Sequence, residues 1–422
     1  MTLPINRIFA LIPFILIVSC GNDDAPKGDL NDTYAYQANS PYIDSLAPCV
    51  RHYNFPSCTL HKLPIIGLDH ESPSIENVMD HVVVSHDWMG ERFEQVLNQL
   101  PTEVLYLFKG VTAVVIDNDI RPAFYSHGTG AIYLDPALLW LTVQEKRTIN
   151  PKEDYRAGFS DPLSFRSVWR YVKGNTVVSA RGSLSDMSER TLEDIIPTFA
   201  ALLFHELAHA NDFIAPGSYQ QINRNLTVSQ TIDLLHSSSP SIQLRDSAPL
   251  SSSLLYGLAG VMFHGHAPSD AERAISADEV GQEFEMDIAS DDYAYSSLYE
   301  DTAMLFEEAM MKYFFDIDRD IAFTTPPGAN NNCQDYVVKW GIRNRIGDEE
   351  VRIRAQLVVE QLMLGVDFGT FFTDLVTPTP LNNDVSWCQS VTIQANSVQQ
   401  KVQSDGALEQ MPLINPHLRP YL

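Results

Sequence analysis

The stretch FHELAHANDF, residues 204–213, carries two histidines four apart and a glutamate directly after the first. On a helix, residues i and i+4 are offset by only about 40° around the axis and about one turn along it. His205 and His209 can therefore aim two imidazoles at one point, and neutral imidazole nitrogen is a zinc ligand. Glu206 lies about 100° round from His205. It stands beside such a metal rather than on it, within reach of a water held there. A carboxylate in that place can take a proton as the water attacks and hand it to a leaving amine. Zinc lowers the pKa of its water toward neutrality, so a carboxylate suffices as the base. The competing reading is a pair of hydrogen-bonded core histidines. It must satisfy four ring nitrogens within an apolar helix face, which is costly.

A catalytic zinc takes three protein ligands. A third histidine ten residues after the first is excluded, because that position is Ala215 and no glycine marks a bend. Glu300, Glu307, Glu308, His264 and His266 remain. Glu300 and Glu307 are seven apart and share one face of a helix, so one can bind and the other brace. His264 and His266 could share a strand face, although a solvated loop is the simpler reading. Asp212 either accepts a hydrogen bond from a ligand histidine or ends a helix. Tyr293, Tyr295 and Tyr299 either offer a phenol to an oxyanion or pack.

HELAHANDF followed by DDYAYSSLYEDTAMLFEEAM resembles gluzincin-type zinc metallopeptidases. More narrowly, it resembles bacterial zinc-binding metallopeptidase lipoproteins with H-E-x-x-H-x-x-D and a later Y-A…E-D-x-A-x-x-F-E helix. The resemblance implies peptide-bond hydrolysis with one Zn²⁺ per chain, held by His205, His209 and Glu300, with Glu206 as the catalytic base. Many relatives carry an acid four residues after the third ligand. Here that residue is Met304, which leaves Asp301 or Glu307 to orient a histidine. The resemblance covers residues 200–213 and 291–310 and says little of the rest. The fold it implies is zincin-like, in which the strand at 129–136 could be an edge that pairs with an extended peptide. An ordinary core strand is the alternative.

The elements that must position these residues follow from periodicity. The spacing predicts a helix over 189–214, with Pro197 either in its first turn or at a kink. Others run from Trp88 to Leu100, over 299–315 and over 348–364. EVLYLF (103–108) and VTAVVI (111–116) read as neighbouring strands. TGAIYLDP, SVWRYV and TVVSA read as further strands, residues 236–253 as an exposed loop, and the tail after Thr377 as irregular. The expected fold class is α+β: a strand-containing N-terminal part, the helix carrying HExxH, then a mostly helical C-terminal part. The long separation between the two motifs implies an insertion at about 214–290.

The N-terminal MTLPINRIFALIPFILIVSC has one positive charge, a short apolar run and a small residue before Cys20. That pattern reads as a lipoprotein signal over 1–19, with Cys20 lipidated and residues 20–45 a polar tether to a domain at 46–422. Resemblance to the sorting signals of such lipoproteins, with no Asp directly after Cys20, implies the outer membrane. Four further cysteines in an exported chain suggest two disulfides, Cys49–Cys58 and Cys333–Cys388. A zinc site made of these four lacks any C-x-x-C spacing. With 54 acidic residues against 28 basic and a net charge of −26, nucleic acid is a poor partner. The expected partner is a peptide or protein substrate. The competing function is a non-catalytic, zinc-stabilised envelope lipoprotein acting in binding or assembly. A fourth protein ligand, from His264 or His266, would mark it.

Overall fold

Three short runs, VVV, AVVI and AIYL, show no alternation between apolar and polar residues. In a strand this means that both faces are covered. The computed structural model describes residues 30–53, 58–178, 188–328 and 332–393 and places these runs side by side. They are β2 (Val82–Val84), β3 (Ala113–Ile116) and β5 (Ala131–Leu134), paired in parallel. Short antiparallel strands flank them, β1 (Tyr34–Ala35) on β2 and β4 (Phe124–Ser126) on β5. Val82, Val84, Val114, Ile116, Ile132 and Leu134 enter the main core. Val83, Ala113, Val115, Ala131 and Tyr133 face a second layer with Leu46, Cys49 and Val50.

β1 begins inside the segment read as a tether, and Leu30 before it is buried. The globule therefore starts earlier than residue 46. Residues 1–19, read as a signal, and Cys20 lie outside the described residues.

A second five-stranded sheet has the order β10-β9-β8-β6-β7. It is antiparallel, built from β6 (Arg166–Lys173), β7 (Thr176–Val177), β8 (Asp318–Thr324), β9 (Val338–Arg343) and β10 (Thr379–Pro380). Three of these strands come late in the chain, so the C-terminal part is not mostly helical as expected. The class is α+β, with two sheets.

Between and around the sheets lie α1 (Asp87–Leu97), α2 (Leu192–Phe213), α3 (Pro240–Ser247), α4 (Ser253–His264), α5 (Ala277–Met286), α6 (Leu298–Phe315) and α7 (Glu349–Leu362). No helix among the described residues is long and apolar enough to cross a membrane. Two expectations fail for identifiable reasons. Residues 103–108 form a helical turn at Val104–Leu107 rather than a strand, because the chain turns at once after Pro101, whose carbonyl accepts from Val104 N. The Ser- and Pro-rich 236–253 holds α3. There Ser239 caps the helix and Pro240 sits in its first turn, so the residues read as loop formers are helix starters. α4 and α5 share a core with Phe323 and Trp340 of the second sheet. The segment at 214–290 is thus packed into the molecule.

Both expected disulfides form, Cys49–Cys58 and Cys333–Cys388, with sequence separations of 9 and 55. The entropy of closing such loops in the unfolded chain corresponds to about 2.5 and about 4 kcal/mol. Replacing both Cys333 and Cys388 by Ser is expected to lower the urea midpoint more than the same change at Cys49 and Cys58. Equal losses, or the reverse order, would contradict that account.

Candidate metal centre

α2 begins on a reciprocal cap. Thr191 Oγ accepts from Asp194 N, and Asp194 accepts from Thr191 N. The helix continues through Pro197 and forgoes one backbone hydrogen bond there. Phe199, Leu203, Phe204 and Leu207 bury it in the main core. Its last three turns, which carry His205, Glu206 and His209, are fully covered. α6 packs along it, with the rings of Phe204 and Phe306 in edge contact. Ser297 caps α6 and accepts from Glu300 N at 3.1 Å. This pins Glu300 in the first turn, where the helix dipole favours negative charge.

The two helices bring His205, His209 and Glu300 to one point, with one ligand atom from each lying within 4.8 Å of the others. His205 Nε2 is 2.9 Å from Glu300 Oε2, and His209 Nε2 is 3.6 Å from the same oxygen. Tetrahedral zinc bound at ordinary lengths holds its ligand atoms about 3.3 Å apart. The observed separations bracket that value. Neither His209 nitrogen and neither Glu206 oxygen has a hydrogen-bond partner among the described residues, although all four atoms are buried. Orphaned groups of this kind cost several kcal/mol in a purely structural core. A metal and its chemistry would give both a use, so the donor set fits zinc.

Glu307 lies two turns along α6 from Glu300 and accepts from His205 Nδ1 at 2.9 Å. His205 thus meets a carboxylate at each nitrogen, Glu307 at Nδ1 and Glu300 at Nε2; with a metal on Nε2, Glu307 would keep the hydrogen on Nδ1. Glu307 is held in turn by the Tyr171 hydroxyl and by Arg319 Nη1 at 3.1 Å.

The charges reflect this crowding. Burial alone would push His205 down, but the two carboxylates on its ring outweigh it and raise the imidazole to about 10. Burial would likewise raise Glu300, but His209 and His205 hold it down at about 2. Glu206 is pushed well above the usual carboxylate range by burial and by the Glu300 and Glu307 charges. His205 and Arg156 oppose the shift. Burial lowers His209.

Several candidate residues fall elsewhere. Asp212 accepts from Ser241 N at 2.7 Å and makes no hydrogen bond to His209. Asp301 pairs with Arg354, and Glu308 meets Ile346 N, so neither orients a histidine. His264 and His266 are exposed; His264 Nε2 meets Ser296 O at 3.1 Å, and neither joins a metal-competent group among the described residues. Tyr295 donates to Asp287, and Tyr299 packs on Phe213. Of the three tyrosines, Tyr293 alone stacks on a site residue, with ring centroids 6.2 Å from His205. The strand at 129–136 is internal, with β4 on its outer side, so the core reading holds and the edge reading does not.

Sequence reasoning missed Arg156, Tyr171, Asp291 and Arg319, which come from two loops and two strands. A signal existed. Arg170 interrupts the otherwise apolar strand run VWRYV, and Arg319 stands between two aspartates at the head of the run IAF. A buried arginine must find a carboxylate. Spacing alone could not say which one.

Comparison with protein-family models, curated proteins and solved structures finds no match for this chain. The functional reading therefore rests on the site itself.

Proposed function

We propose that this chain is a zinc-dependent metallopeptidase of gluzincin type on a zincin-like fold, exported and anchored through Cys20 to the outer membrane. The observation that carries the reading is the meeting of His205, His209 and Glu300 beside a buried Glu206 whose carboxylate has no hydrogen-bond partner among the described residues. His205, His209 and Glu300 would hold one Zn²⁺. The ion supplies Lewis acidity that polarises a carbonyl and makes water a nucleophile at neutral pH. Glu206 accepts the proton released as water attacks and returns it to the amine nitrogen of the departing peptide. Glu307 keeps His205 in the tautomer that presents Nε2. The paired disulfides agree with export.

The test is hydrolysis of a mixture of unstructured peptides, read by mass spectrometry. Cleavage that a chelator abolishes and zinc restores supports the reading. A zinc-loaded protein that cuts nothing removes it in favour of a non-catalytic zinc-stabilised lipoprotein. One observation favours that second reading: His205, Glu206 and His209 are 0% exposed. Against it, neither His264 nor His266 supplies a fourth ligand.

Burial has a consequence for access. Tyr293 covers His205, and Phe263 of α4 packs edge-on against Tyr293 at 4.7 Å. An aromatic contact of this kind contributes about 1 kcal/mol. Phe263→Ala is therefore expected to speed removal of zinc by a chelator about fivefold or more. Equal extraction rates in the two proteins would place the route to the site elsewhere.

A further inference from the structure

The second sheet reaches the metal-competent cluster through one chain of buried polar contacts. Arg319 on β8 is 2% exposed. Its Nε and Nη2 donate to Asp291 Oδ2 at 3.0 and 2.7 Å. Its Nη1 donates to Glu307 Oε1 and to the Tyr171 hydroxyl oxygen, both at 3.1 Å. Tyr171 on β6 sits directly opposite Arg319 in the strand register and donates to the same Glu307 oxygen. The Trp169 ring lies 4.3 Å from the guanidinium and closes it off. Asp291 Oδ1 also accepts from Tyr293 N at 2.8 Å, which fixes the turn whose ring covers His205.

A planar guanidinium is a rigid fork, and here its two edges join two carboxylates from different segments. One edge fixes Glu307, whose other oxygen is left for His205 Nδ1 alone. Without Arg319, Glu307 would be a buried carboxylate beside Glu300 and free to rotate. His205 could then present either nitrogen.

We propose that Arg319 and Tyr171 are positioning residues for the metal, acting through Glu307 to hold His205 with Nε2 toward Glu300 and His209. The inference rests on the zinc-site reading above. It adds that metal affinity is set partly from the second sheet, by residues that touch no ligand atom of the metal.

The experiment measures the zinc dissociation constant of the full chain by chelator competition, for the unchanged protein, Arg319→Met, Arg319→Lys and Tyr171→Phe. Changes in groups that orient a ligand histidine weaken metal binding by about 10- to 100-fold. Arg319→Met is expected in that range and Arg319→Lys between it and the unchanged protein. Tyr171→Phe removes one of several contacts to Glu307 and is expected to weaken binding about threefold to tenfold. The visible spectrum of the Co²⁺-loaded protein is read alongside, because it follows ligand geometry and not global stability. A shifted d–d envelope in Tyr171→Phe is the expected result. If Arg319→Met does not fold, Tyr171→Phe and Arg319→Lys still decide. Unchanged affinity and an unchanged cobalt spectrum in those variants would overturn the inference while leaving the zinc site intact. An unchanged protein that binds no zinc would overturn the zinc-site reading itself, and this inference with it.

Discussion

Glu206→Gln is expected to leave zinc bound and to lower kcat for peptide hydrolysis by about 10²- to 10⁴-fold, the usual contribution of a positioned general base. The amide keeps the size of the side chain and cannot accept the proton. Neither Glu206 oxygen has a partner among the described residues, so the change breaks no hydrogen bond. Burial and the neighbouring Glu300 and Glu307 both oppose its negative charge. A neutral amide is therefore also expected to raise the unfolding midpoint of the metal-free protein. Lost activity with gained stability is the signature of a residue kept for chemistry. Turnover equal to that of the unchanged protein would remove Glu206 from the mechanism.

The second large effect is on binding. If about 10–16 kcal/mol of zinc affinity is shared among a full set of ligands, each contributes about 3 kcal/mol, or more than a hundredfold. Glu300→Ala is expected to weaken zinc by at least that factor. The consequence is visible in stability. At zinc a thousandfold above its dissociation constant, the unchanged protein gains about 4 kcal/mol, and a variant a hundredfold weaker gains about 1.4 kcal/mol. Thermal unfolding with and without zinc separates the two. A zinc-dependent rise in midpoint that survives in Glu300→Ala would place the third ligand elsewhere.

How much of this was legible in the chain depends on what each feature required. The approach of His205 and His209, with Glu206 beside them, was readable because a helix fixes their relation within one turn, and the structure brings the two histidines together with Glu300. The bracing role of Glu307 followed from a spacing of seven on one helix. The Asp212 contact was not readable, because Ser241 comes from a distant turn. Of the ten strands among the described residues, four (β3, β5, β6 and β7) were read from the sequence, and their partners were not. β6 pairs with β8 across some 150 residues, and nothing local encodes such a register. The VVV run of β2 was not read as a strand, because three residues carry no period. EVLYLF has strand-forming residue types but lies between Pro101 and Gly110, where a short helical turn is enough.

The central claim is that His205, His209 and Glu300 form one zinc site. The most direct test is metal analysis of the full chain purified without chelators, beside Glu300→Ala and Glu307→Ala equilibrated with zinc. One zinc per chain is expected in the unchanged protein, with retention in Glu307→Ala at raised zinc and loss in Glu300→Ala. No zinc in the unchanged protein, or stoichiometric zinc in Glu300→Ala, would contradict it.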